Sequence, residues 1–325
     1  MTDQQHITPE QRVEQYGQAA LGIPAPLGGL SELAAPDAGE VQVISSGWRL
    51  AVREYWSNKL AVVALFVLVA IILFCFIGPY FYHTNQVLSN PLNATLPPGN
   101  GHPLGTDEFG FDELGRIMLG GQSALEIGAF AAIVAIVIGT LYGAISGLVG
   151  GLLDAVLMRF VDMLLSIPFL LIVAVLATKY NGTVFLLSLV IGVFSWLIPA
   201  RLVRGEVLAL RERDFVIAAQ TMGSGRTRLI FRHLIPNAMS VTIVNITFLV
   251  ADSILVLALL GYLGLGLSLP QISWGDMLGN AQQYISNGQW WLVFPVGGFL
   301  VMVVLCCNLI GDALRDAVDV RLRRR

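Results

Sequence analysis

The chain has 325 residues, 55% of them hydrophobic and only 13% charged, whereas soluble domains carry about 25% charged residues. That length would fit two soluble domains, but the positive mean hydropathy overrides this reading and argues for a protein dissolved in lipid. A formal charge of −3 gives no reason to invoke nucleic acid, so the placement of the charges matters more than their sum.

Residues 1–46 contain Arg12 as their only Lys or Arg against six acids, and "GIPAPLGGLSELAAPDAGE" is rich in Gly, Pro and Ala without a sustained period. Such a segment cannot bury enough surface to offset its ordering entropy, and it reads as a disordered acidic cytoplasmic leader. Residues 47–59 mix Trp48, Ala51 and Tyr55 with charges of both signs. They read either as an amphipathic juxtamembrane helix or as a simple turn. The first apolar run starts near residue 60, too late for a cleaved secretory signal, and is a retained anchor.

Six runs each suffice to cross a hydrocarbon core of about 30 Å, which takes about 20 helical residues. They fall at 60–82, 122–147, 155–178, 183–203, 238–263 and 292–312. The expected architecture is an all-α integral membrane protein with a six-helix transmembrane domain over 60–312. It has outer loops at 83–121 and 264–291, a cytoplasmic loop at 204–237 and a basic cytoplasmic tail at 313–325. With the N-terminus inside, only Arg116 and Lys179 of the 19 Lys and Arg lie outside. The basic bias therefore puts both termini in the cytoplasm.

Within the runs, Gly139, Gly143, Gly147 and Gly151 recur every four residues, a stripe that lets helix backbones approach closely. Pro168 and Pro199 should bend or break the third and fourth runs. Arg159 and Asp162 are spaced to neutralise each other at i, i+3. Cys75, Cys306 and Cys307 lie in apolar runs and read as small hydrophobes. The four histidines form no i, i+4 pair, so neither a metal nor a disulfide framework is assigned.

The cytoplasmic stretch "RDFVIAAQTMGSGRTRLIFRHLIPNA" reads as helix, turn, helix. Asp214 is a candidate cap for a helix whose Phe215, Ala218, Ala219 and Met222 share one face. Gly223 and Gly225 end it, and a basic segment from Arg226 to His233 leads to Pro236. Small residues leave room for another protein, and Phe215 or Met222 can fill its pocket. "GSGRT" lacks the glycine, the lysine and the preceding strand of a phosphate-binding loop. If ATP drives this protein, a partner binds it.

The loop resembles the E-A-A-x3-G-x9-I-x-L-P motif of permease subunits of bacterial ABC importers. Ala218, Ala219, Gly223 and Pro236 match in register, while Ile217, His233 and Ile235 stand where the motif has Glu, Ile and Leu. "HPLGTDEFGFDELGRIMLGGQSAL", "LDAVLMRFVDMLLSIPFL", "RLVRGEVLALRERDFV", "YLGLGLSLPQISWGDML" and "NLIGDALRDAVDVRL" resemble one branch, the dipeptide/oligopeptide permeases of the DppC/OppC type. The resemblance covers roughly residues 48–322.

It implies a type I ABC importer permease (MetI-like) fold in the bacterial inner membrane, with no catalytic residue, metal or cofactor in this chain. ATP and Mg would be bound by two partner ATPase subunits. A homologous permease would complete the path, and an extracytoplasmic substrate-binding protein would deliver cargo. The loop would be the coupling helix, with Asp214, Phe215, Ala218, Ala219, Met222, Gly223 and Arg226 as its contact candidates. The cargo would be di- or oligopeptides; nickel chelates, glutathione and haem are alternatives within the branch, and a self-contained carrier or channel is a more remote one. An acid at the bilayer midplane should face protein or water. Asp252, with Asn245 below it, either lines the path, where it would attract a peptide's amino terminus, or hydrogen-bonds to the neighbouring permease. Trp274, Trp290 and Trp291 are candidates for the binding-protein contact.

Overall fold

The computed structural model describes residues 47–99, 101–179, 182–268 and 270–323, and the acidic leader lies outside them. The described chain is built almost wholly of helices. α1 (Gly47–Ser57) leads into α2 (Lys59–Phe81), where the Asn58 side chain accepts from the Ala61 N–H at 3.3 Å. The helical form of the two readings for residues 47–59 is thus the one observed. Tyr55 packs with Ala64, Cys306 and Ile310, while Val52 and Trp56 stay exposed.

α3 (Glu113–Val149) is the central element and packs against α2, α6 (Val184–Ser195), α7 (Leu197–Leu210) and α10 (Ile235–Tyr262). It starts nine residues earlier than the apolar run expected from 122. Asp112 explains why, because its carboxylate accepts from the Gly115 N–H at 2.9 Å and caps the helix there. Hydropathy cannot see such a cap.

The third and fourth apolar runs are each two helices. α4 (Gly151–Ser166) and α5 (Phe169–Lys179) meet at 74° around Ile167 and Pro168, and α6 and α7 meet at 43° at Trp196. Pro168 has the effect its chemistry demands. Pro199 sits inside the first turn of α7, where a missing N–H costs little, and the bend lies just before it. Four helices are long and apolar enough to cross a membrane, and the number rises to six if each bent pair is one span.

The cytoplasmic loop expected at 204–237 is largely helical. α7 runs on to Leu210, α8 spans Asp214–Thr221, and α9 (Arg226–Leu229) passes through a wider turn at Ile230–Leu234 directly into α10. The other expected outer loop carries α11 (Trp274–Ala281), and α12 (Phe294–Arg323) closes the chain.

The main core gathers Ile127 and Ala131 of α3, Leu187 and Ile191 of α6, and Ile254 and Leu257 of α10 around buried Trp274. Small residues set the helix spacing. A Cβ on Gly139 would stand 2.6 Å from Pro199 Cβ, one on Gly143 would strike the Ala200 carbonyl, and one on Gly147 would meet Val207 at 2.9 Å. The stripe therefore seats α3 on α7. Gly151 is the exception: it opens α4, and nothing approaches it within 4 Å.

Candidate functional site: coupling face, lateral cavity and outer brace

α8 is short and amphipathic. Arg213, in an extended conformation, occupies the cap position, and Asp214 is the first helical residue. The capping role expected of Asp214 is therefore not observed. Its acidic side chain still complements the positive helix start. Val216 and Ala219 are buried at 0% and 3% exposure, packed in a cluster with Ala144, Val203, Val207 and Leu229. Phe215, Ala218 and Met222 face outward, with Met222 80% exposed. Of the four residues proposed from sequence as one face, Ala219 thus belongs to the opposite, anchoring side. Val216, which sequence reasoning passed over, is its partner. A strict reading of the i, i+3 and i+7 positions would have separated the two sides.

Gly223, at φ +82, ends α8 in the left-handed conformation glycine tolerates. The Ser224 N–H donates to the Ala219 carbonyl at 3.0 Å and the Gly223 N–H to Gln220 at 2.9 Å, a two-bond closure that satisfies the last carbonyls. Arg226 begins α9 and is exposed.

Behind this helix stands a polar clamp that no sequence pattern announced. The Arg204 guanidinium of α7 grips Asp154 of α4 through two hydrogen bonds of 2.6 Å, the planar fork geometry that suits a carboxylate. Ser146 of α3 donates to the same carboxylate, and Arg211 donates to the Gly147 carbonyl at 3.3 Å. Three helices are thereby fastened, two of which, α3 and α7, carry the seat of α8. Asp162 pairs with Arg201 of α7 and not with Arg159. A helix neighbour at i, i+3 gives way here to an arginine from across the bend.

A cavity of about 510 Å³ opens where both broken runs bend. Ile167 and Pro168 contribute one wall, Ser195 and Pro199 another, and α10 a third through Asn245, Phe248 and Asp252. Asn245 and Asp252, chosen from sequence as path candidates, are two turns apart on one helix face and line the same space. The Asn245 amide donates to the Val241 carbonyl at 2.8 Å. Asp252 is exposed to the cavity.

The segment between α2 and α3 is braced by buried charge. Asp107 accepts from the N–H groups of Phe109 and Phe111 at 2.9 and 2.8 Å and from Arg116 Nε at 3.0 Å. The guanidinium also lies 4.1 Å from the Phe111 ring centroid. Asp112 receives the Tyr82 hydroxyl at 2.9 Å, and His102 Nδ1 lies 2.8 Å from the same oxygen. Burial, then the bond to Asp112, push the Tyr82 phenol up to about 12. Trp274 Nε1 donates to the Ile117 carbonyl at 2.9 Å and the ring is buried, as is Trp291. Of the three tryptophans expected at a partner surface, only Trp290 is available there, at 51% exposure.

These features belong together in a transport subunit of the membrane, and comparison with known proteins gives its class. Residues 139–324 match the model of the binding-protein-dependent transport system inner membrane component, and the chain belongs to that family. Residues 46–98 match the N-terminal TM domain of oligopeptide transport permease C.

Among individual relatives, the Oligopeptide transport system permease protein OppC of Bacillus subtilis is 38% identical over 297 residues, covering 90% of this chain and 97% of that protein. The Escherichia coli K12 protein of the same name is 39% identical over 278 residues, covering 85% and 92%. The Dipeptide transport system permease protein DppC of Alkalihalophilus pseudofirmus is 36% identical over 283 residues, covering 86% and 91%. The chain is a multi-pass protein of the bacterial inner membrane.

Proposed function

We propose that this chain is the permease subunit of an ATP-driven importer that moves di- or oligopeptides into the cytoplasm. Each bent pair counts as one span in this reading, giving six crossings, and the bias of the basic residues supports both termini inside. The names of the relatives, which are oligopeptide and dipeptide permeases, support the peptide cargo.

The observation that carries the reading is the two-sided α8. Its Val216 and Ala219 side is locked to the membrane helices, and its Phe215, Ala218 and Met222 side is bare. A helix held from behind and apolar in front suits a groove in another protein. Asp214, Gly223 and Arg226 flank that face. A partner ATPase closing on ATP would push α8, and the Arg204–Asp154 clamp would pass the push to α3, α4 and α7. A homologous permease would cover the open side of the cavity, and a substrate-binding protein would dock on the braced outer segment. In this scheme no residue of the chain makes or breaks a bond, and ATP with its Mg stays on the ATPases.

Affinity purification of the tagged chain from native membranes in mild detergent, followed by quantitative mass spectrometry, tests the assembly. Recovery of a second permease, two kinds or copies of ATPase subunit and a binding protein is expected. Recovery of the chain alone, still active in transport after reconstitution, would overturn it.

A further inference from the structure

Asp252 lies midway along α10, and it is the sole charged group among the described residues that line the 510 Å³ cavity. Apart from Asn245 and Ser195, the surrounding side chains are apolar, among them Phe169, Phe194 and Phe248. Two other acids next to the membrane helices are matched, Asp154 by Arg204 and Asp162 by Arg201. Among the described residues no cation and no hydrogen-bond donor reaches Asp252. A carboxylate at membrane depth is costly unless it meets water or a counter-charge. Asp252 lines a cavity at two helix breaks, the kind of place where polar groups at membrane depth are tolerated.

We infer that Asp252 is a charge selector: the carboxylate is the counter-ion for a basic side chain on the passing peptide. The inference rests on the peptide-import reading above and adds a preference to it. An unscreened carboxylate in an apolar-walled space attracts a cation over several ångströms and repels an anion. Two peptides of equal size and opposite side-chain charge should therefore pass at different rates. Asn245, whose amide is tied to the Val241 carbonyl, leaves its side-chain oxygen to the same space and can orient a peptide group without choosing its charge.

The test is competitive uptake of Ala-Lys-Ala and Ala-Glu-Ala, differently labelled, by cells carrying the intact importer. The ratio of the two uptakes is independent of how much complex each strain makes. The wild-type ratio should favour the lysine peptide and fall by about fivefold in Asp252→Asn, the scale of one modest charge contact in a wet site. Asp252→Glu should keep the preference. An unchanged ratio in Asp252→Asn overturns the inference. Should Asp252→Asn fail to assemble, Asp252→Ser takes its place as the neutral variant, and an unchanged ratio there overturns the inference as well. Failure of the wild type to take up either peptide would instead strike the peptide-import reading itself.

Discussion

At the scale of single residues, charge in this chain is placed for holding helices together. Arg204 and Asp154 are both largely shielded, with side-chain exposures of 32% and 12%. Removing one partner leaves the other desolvated and unpaired, which costs more than the pair contributes. Arg204→Ala should lower the stability of the solubilised complex by about 1–3 kcal/mol, and Asp154→Asn by less, because the amide still accepts from Ser146. Thermal unfolding of the two variants checks the order; equal stability to wild type would show that the clamp is idle. Asp276 offers a pH test. Burial raises its carboxyl above the ordinary 3.8, against the opposing bonds from Ser273. The folded state therefore keeps this proton to higher pH than the unfolded chain. The resulting stability is present below the ordinary carboxylate range and is lost as pH rises through the raised value. Asp276→Asn keeps the shape and cannot titrate, so its melting temperature should fall less steeply with pH above about 4. Parallel profiles would contradict the assignment.

At the scale of elements, the α3–α7 contact and α8 make separable predictions. Gly143→Val places a Cβ against the Ala200 carbonyl and Arg204 N, backbone atoms that cannot swing aside. The helices must part, at a cost of about 1–3 kcal/mol, and the seat of α8 widens with them. Lower abundance of assembled complex in membranes is the expected outcome, whereas Gly151→Ala, off the stripe, should stay close to wild type in abundance apart from its backbone strain. Phe215→Ala with Met222→Ala strips the bare face of α8 while leaving Val216 and Ala219 in place. Peptide uptake should drop by about tenfold or more, the range of a central contact pair, at unchanged chain abundance. Uptake at wild-type level would remove α8 as the coupling element. Val216→Asp would act differently, lowering abundance by burying a charge.

At the scale of the whole molecule, the membrane runs and their order were legible because about 20 apolar residues in a row have few other physical uses. The glycine stripe was legible for the same kind of reason: its spacing matches a helix face, and three of its four members meet α7. Less visible were features that depend on a distant partner. Asp112 as the cap that lengthens α3, Arg204 finding Asp154 and Arg201 taking Asp162 from Arg159 are all choices made in three dimensions. The short helix α8 was legible but its sidedness was blurred, because a run of small residues does not say which of them touches the body. Trp274 and Trp291 misled for a related reason: interfacial tryptophan and core tryptophan look alike until the Ile117 carbonyl and the α3 surface are in place. Asn245 and Asp252 were placed together by helical spacing alone, while the cavity they share needed both bends.

Proteoliposomes containing the native complex, with the binding protein and a labelled peptide on one side and ATP on the other, test the central claim most directly. Uptake should require ATP on the side that α8 faces and stop when ATP is withheld. Uptake that continues without ATP and follows an imposed proton gradient would contradict the account and restore the self-contained carrier.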